Sequence, residues 1–163
     1  MSYMQSTRQN RTPLNDMVME RNKKRVLVVD DDPMVRDLVC KMFAGIGLKT
    51  VPAENGREAY ELFQQGVFDL VVTDLEMPVM DGFSLIRKLR RQSSHIPVVV
   101  ITGLSDDLVH CDGEVMECII LHKPFTLREL TQASIKALDA GHYGKTNAPR
   151  YARRGPVHIT VRP

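Results

Sequence analysis

The sequence predicts an α/β domain in which a five-stranded parallel sheet is covered by helices on both faces. Two observations carry the prediction. Between residues 25 and 140, short β-branched runs alternate strictly with stretches of helical apolar spacing, and such alternation builds parallel sheets through βαβ crossovers. The β-branched runs are also continuously apolar, as in strands buried on both faces, rather than alternating between polar and apolar residues.

The first strand is Val26-Leu27-Val28-Val29, ending in Asp30-Asp31-Asp32-Pro33. Acids favour the start of a helix, so Asp32 reads as the cap of the helix that follows. Met34, Val35, Leu38, Val39, Met42, Phe43 and Ile46 recur at helical spacing until Gly45 and Gly47 stop the pattern. Lys49-Thr50-Val51 is a brief second strand. Arg57–Gln65 is a helix with Ala59, Leu62 and Phe63 inward, closed by Gly66. Asp69–Asp74 is the third strand, and Phe83, Leu85, Ile86 and Leu89 mark the helix after it. Pro97–Thr102 is the fourth strand. A fourth helix is expected over 105–116, short or bent because Asp112-Gly113 falls inside it. Cys118–His122 is the fifth strand. Thr126-Leu127-Arg128-Glu129 has the Ser/Thr-x-x-Glu form of a capping box, opening a helix to about Ala140 with Gly141 as its stop.

Composition bounds the function classes. The 163 residues are 43% apolar and 26% charged, enough for a real core, which argues against global disorder. The longest apolar run, Ile96–Ile101 with Pro97 counted, is far short of the ~18 residues of a membrane span. Residues 1–25 lack a signal-peptide core. Three cysteines at irregular spacing (Cys40, Cys111, Cys118) argue against a disulfide framework, so a reducing cytoplasm is expected. Charge is unevenly placed: residues 1–25 carry a net +4 and residues 141–163 a net +5, while eleven basic and eighteen acidic residues leave 26–140 at −7. We therefore expect three segments. These are a flexible basic arm (1–23), a folded domain (24–140) and a basic tail (141–163) too short for an output domain.

In open α/β sheets, sites form beyond the carboxyl ends of the strands, at the switch point that lies between strands one and three in a flavodoxin-like 2-1-3-4-5 order. Four strands here end in residues fit for phosphate or metal chemistry: Asp30 and Asp31, Asp74, Thr102, and Lys123. Converging carboxylates raise one another's pKa. A hard cation such as Mg²⁺ removes that cost while keeping sites for waters and substrate oxygens. A lysine supplies a point charge for a phosphate oxygen, and a threonine a further hydrogen bond. Together these parts describe phosphoryl transfer by positioning and charge neutralisation, with Asp74 as the nucleophile.

These residues closely resemble the receiver domain of two-component response regulators, a CheY-like superfamily, over roughly residues 24–140. The resemblance rests on Val28-Val29-Asp30-Asp31-Asp32-Pro33, on Asp74-Leu75-Glu76-Met77-Pro78-Val79-Met80-Asp81-Gly82, on Val100-Ile101-Thr102-Gly103 and on Lys123-Pro124-Phe125, in family order and at family spacing. It implies that Asp31, Asp74 and the Glu76 backbone carbonyl ligate Mg²⁺, with Asp30 acting through water. It implies further that Asp74 accepts a phosphoryl group from a phosphohistidine on a sensor histidine kinase or histidine phosphotransfer protein, that Thr102 and Lys123 contact that group, and that a cis peptide follows Lys123. The family usually carries Tyr or Phe three residues before the lysine; here Ile120 stands there. The resemblance does not identify the downstream protein partner, and homodimer formation stays open.

Two other functions use similar parts. A haloacid dehalogenase-like Mg²⁺-dependent phosphatase also has an aspartate nucleophile, hydroxyl, lysine and acidic pair, but its nucleophile strand comes first and its acidic pair last. Here Asp30-Asp31 precede Asp74, and Glu76 stands where the second aspartate is needed. A receiver-like scaffold that is not phosphorylated has only Ile120 and the divergent stretch before the fifth strand in its favour. His110, Cys111, Cys118 and His122 suggest a zinc site only weakly, since Cys-x₆-Cys is wider than the usual ligand loops. The basic tail, with Tyr143 and Tyr151, has no recognition-helix pattern, so nucleic acid is not expected as a partner. Val157–Val161 alternates like a short strand that would suit a sheet edge.

Overall fold

The structure, a computed structural model, describes residues 24–109 and 118–143. Five strands form one parallel sheet: β1 (Arg25–Val29), β2 (Lys49–Ala53), β3 (Leu70–Thr73), β4 (Val98–Thr102) and β5 (Ile119–His122), in the order β2-β1-β3-β4-β5. The helices are α1 (Pro33–Gly45), α2 (Gly56–Gln65), α3 (Gly82–Gln92), α4 (Asp106–Val109) and α5 (Leu127–Tyr143).

The sheet divides the core in two. Strand side chains alternate between faces, so Val26 and Val28 meet α1 and α5 through Val39, Phe43, Leu130, Ala133 and Ala137. Leu27 and Val29 point the other way, onto Ala59, Phe63, Leu85, Ile86 and Leu89 of α2 and α3. All four residues of β3 and all five of β4 are buried. That is why these segments are apolar up to their closing threonines, and full burial is worth roughly 1.5–3 kcal/mol for each large apolar side chain.

Local chemistry sets most helix boundaries. Asp32 caps α1, its side chain accepting from the Met34 N–H at 2.8 Å, with Pro33 in the first turn where no amide partner is needed. Gly47 adopts φ 82° and ends that helix, with the Leu48 N–H returning to the Phe43 carbonyl. Asn55 and Asp81 cap α2 and α3 in the same way. The capping box at α5 is present in both directions: the Thr126 N–H donates to Glu129 at 2.7 Å, and the Glu129 N–H donates to the Thr126 hydroxyl at 3.3 Å.

Three expectations need correction or completion. α5 does not stop at Gly141 but runs to Tyr143; an interior glycine costs a helix only about 1 kcal/mol, too little to end one anchored by Leu130, Ala133 and Ala137. Of the seven apolar positions that mark α1, Val39 and Phe43 are fully buried, whereas Met34 is 81% and Leu38 48% exposed. They lie one turn apart on a stripe beside the buried one. The expected fourth helix is represented by the single turn Asp106–Val109, and 110–117 fall outside the described residues, as do the arm before residue 24 and the tail after residue 143.

Two glycines make opposite predictions. A Cβ on Gly82 would strike the Asp74 carbonyl and come within 2.8 Å of the Leu75 Cα, whereas one on Gly45 would meet nothing within 4 Å. Gly82→Ala should therefore lower unfolding free energy by at least about 2 kcal/mol, and Gly45→Ala should raise it by about 0.5 kcal/mol through the unfolded state. Denaturant titration of the two variants checks both signs.

Candidate metal and phosphoryl site

The sheet order brings residues remote in the chain to one rim. β1 lies between β2 and β3, so Asp30, just past β1, and Asp74, just past β3, sit side by side beyond the strand ends. Asp30, Asp31 and Asp74 each offer a carboxylate oxygen, and these oxygens lie within 4.8 Å of one another. Asp30 and Asp74 are buried while Asp31 is exposed, so the cluster opens to solvent on one side.

Lys123 bridges the two buried carboxylates. Its Nζ lies 2.6 Å from Asp74 Oδ2 and 3.0 Å from Asp30 Oδ2. Backbone amides hold the remaining oxygens. Asp74 Oδ1 accepts from the Leu75 N–H at 2.5 Å and the Glu76 N–H at 3.2 Å, and Asp30 Oδ1 accepts from the Asp32 N–H at 2.9 Å. Asp74 Oδ2 thus pairs with the lysine, and the Asp74 side chain keeps 9% of its surface open.

Burial pushes the Asp30 pKa above the ordinary aspartate value, tempered by the hydrogen bonds from Lys123 and the Asp32 amide. Burial also opposes charge on Lys123, but its hydrogen bonds to Asp74 and Asp30 outweigh that and hold its pKa above the usual lysine value. The cation is therefore firmly charged, and it stabilises a carboxylate pair that would otherwise repel.

Thr102, fully buried at the end of β4, is tied to the same rim through the backbone: the Lys123 N–H donates to the Thr102 carbonyl at 2.9 Å. Its hydroxyl oxygen accepts from the Leu104 N–H at 3.1 Å. The peptide bond between Lys123 and Pro124 is cis. Ile120 is half-buried and packs on the α2–α3 side of the sheet.

Several supporting residues carry no obvious sequence signal. Arg36, one turn into α1, donates to the Asp30 carbonyl at 2.6 Å. The Thr73 hydroxyl donates to the Asp74 carbonyl at 2.8 Å. In the loop after Asp74, Val79 has φ 69°, and the Met80 N–H closes a tight turn onto the Pro78 carbonyl at 2.8 Å. A β-branched residue in that region costs of order 1–3 kcal/mol and persists only where its surroundings impose it. Here Gly82 donates to the Leu75 carbonyl and Gly56 to the Met80 carbonyl, each at 3.0 Å, clamping the loop from two sides. Gly56 is needed because a Cβ there would lie 2.6 Å from that same carbonyl.

The zinc reading gains no support. His110 and Cys111 lie outside the described residues, Cys118 is half-buried with Arg90 Nη2 3.9 Å from its sulfur, and the three aspartates are the group with metal-holding geometry among the described residues. Also among the described residues, no helix is long and apolar enough to cross a membrane.

The raised Asp30 pKa fixes the sign of a pH effect. A carboxyl whose folded pKa exceeds its unfolded value keeps its stability contribution below the unfolded pKa and loses it as pH rises through the folded one. In EDTA, Asp30→Asn should therefore melt at a higher temperature than the parent at pH 7, with the difference shrinking as pH falls towards 4. Thermal melts across pH 3.5–8, a range set about the ordinary aspartate value, check this. An Asp30→Asn variant less stable at pH 7 would contradict it.

The response regulator receiver domain family matches residues 26–135. The chain is 33% identical over 118 residues to the response regulator receiver protein CpdR of Brucella abortus (strain 2308), spanning 72% of this chain and 98% of that protein. It is 38% identical over 121 residues to the probable transcriptional regulator ycf27 of Cyanophora paradoxa, spanning 74% of this chain but 50% of that protein. The chain thus covers about half the length of several curated relatives that it matches. Among solved structures, the response regulator protein TrrA of Thermotoga maritima, in complex with Mg²⁺-BeF, superposes with a TM-score of 0.65 at 31% identity, covering 70% of this chain and 98% of that one. Chemotaxis protein CheY4 of Vibrio cholerae gives 0.66 at 30% identity over the same share of each chain. Strand order, the carboxylate cluster with its bridging lysine, and the match over 26–135 agree, and the chain belongs to the receiver domain family of two-component response regulators.

Proposed function

We propose that the chain receives a phosphoryl group on Asp74 from a phosphohistidine on a sensor histidine kinase or histidine phosphotransfer protein and signals through protein contacts, in the cytoplasm as its cysteine usage suggests. The observation that carries this reading is the Asp30–Asp31–Asp74 cluster bridged by Lys123. An all-oxygen, strongly acidic donor set suits a hard divalent cation, and TrrA was solved with Mg²⁺-BeF. Asp31, Asp74 and the Glu76 backbone carbonyl would hold Mg²⁺, with Asp30 in the outer ring. When bound, the ion neutralises the carboxylates and the incoming phosphoryl oxygens.

The protein's own groups do the rest. An Asp74 carboxylate oxygen attacks phosphorus, the phosphorus–nitrogen bond breaks, and its electron pair returns to the departing imidazole. The Leu75 and Glu76 amides orient the carboxylate through Oδ1. Lys123, already against Oδ2, pairs with a phosphoryl oxygen, and the Thr102 hydroxyl donates a further hydrogen bond. Leu104 engages only the oxygen of that hydroxyl, which leaves its proton free to donate.

Incubation with Mg²⁺ and acetyl phosphate followed by intact mass measurement tests the reading. A mass gain of about 80 Da is expected, absent with EDTA or in Asp74→Asn. Asp31→Ala should slow its formation more than about tenfold without lowering the melting temperature in EDTA, because removing an exposed acid from the cluster relieves repulsion. Rapid turnover of many phosphomonoesters would instead indicate a phosphatase, and no adduct with any donor a scaffold.

A further inference from the structure

The two edges of the sheet are protected unequally. β2 carries Pro52 in its interior and Lys49 at its start, and proline and lysine are both means of keeping an edge strand from pairing. β5, at the other edge, is Ile119-Ile120-Leu121-His122, with neither. Among the described residues β5 pairs with β4 alone. The Lys123 N–H points back to Thr102 of β4, so by strand alternation the Ile120 N–H faces away from β4. The three apolar side chains of β5 are half-buried, whereas every residue of β4 is buried.

The same chain supplies a segment that needs such an edge. Val157-His158-Ile159-Thr160-Val161 alternates strictly and is bounded by Gly155-Pro156 and Arg162-Pro163. A five-residue strand of this kind does not hold itself in water. Residues 141–163 carry five basic residues and no acid, against a net −7 for 26–140, so its approach to the domain is electrostatically favoured.

We propose that residues 157–161 dock on the outer edge of β5 in the same molecule as a sixth strand, antiparallel to the other five. The topology selects the direction. α3 and α4 pack on one face as the chain steps from β3 to β4 to β5, while α5 packs on the opposite face. A parallel strand placed beyond β5 would thus require a crossover of the opposite, disfavoured hand, a restriction that does not touch an antiparallel one. An antiparallel strand must start near the rim, so the thirteen residues 144–156 have to climb back along α5. Seventeen helical residues rise about 25 Å, and thirteen extended residues reach about 43 Å. A strand so placed covers the edge that leads directly into Lys123 and competes with any other chain that would pair with β5.

Residue-resolved amide exchange on the 163-residue chain, at two protein concentrations, tests the proposal. Neighbouring amides of a strand point to opposite sides, so at least one of His158→Pro and Ile159→Pro must delete a bond to β5. The expected result is that at least one variant speeds exchange of the Ile120 amide by about tenfold or more. β1 and β3 amides should be unchanged, and protection in the parent should be independent of concentration. Ile120 exchange unaltered in both variants would overturn the proposal, as would protection that grows with concentration, which indicates pairing between copies.

Discussion

The contact between Lys123 and the carboxylates of Asp30 and Asp74 is the interaction on which the rest of the site depends. Burying two acids side by side beyond the strand ends is unfavourable unless something answers their charge. The lysine answers it within the chain, and its strand must lie close enough for the ammonium to reach both oxygens. Lys123 follows directly on β5 and is tied by its amide to the Thr102 carbonyl of the neighbouring strand, which sets the ammonium within reach of both. The same arrangement leaves Asp31 in solvent, so the cluster stays open on one side.

Around this contact, backbone rather than side chain does much of the positioning. Asp74 is oriented by the amides of Leu75 and Glu76, and Asp30 by that of Asp32. The loop beyond Asp74 is pressed into an unfavourable turn at Val79 and held there by Gly56 and Gly82, both at places where a side chain would collide with the loop backbone. A loop held this firmly keeps the Asp74 carboxylate in one orientation without any bound ion. Strain at Val79 is tolerated because two clamps from α2 and α3 share it.

Much of the fold was legible in the sequence because its signals are short-range. Continuous apolar runs marked β1, β3 and β4, and caps at Asp32 and at Thr126 with Glu129 marked where helices begin. The polar residues at four strand ends marked the rim where the structure gathers Asp30, Asp31, Asp74 and Lys123. Other features escaped these local rules. Helical spacing does not say which apolar stripe meets the sheet, so Met34 and Leu38 gave no sign of their exposure. Gly141 looked like a stop, but packing along α5 carried the helix past it. Arg36 and Gly56 escaped notice as site residues because the carbonyls they serve, those of Asp30 and Met80, lie in other elements.

The sequence by itself determined the order of strands and helices, the caps at Asp32 and Thr126, and which polar residues end each strand, since each follows from interactions within a few residues. The tertiary structure decided what those residues do to one another. It placed Lys123 between Asp30 and Asp74, pressed Gly82 against the Asp74 backbone, and left β5 paired on one side among the described residues. Such effects join positions far apart in the chain, and their strength depends on distances and burial that exist only once the crossovers have set strand beside strand.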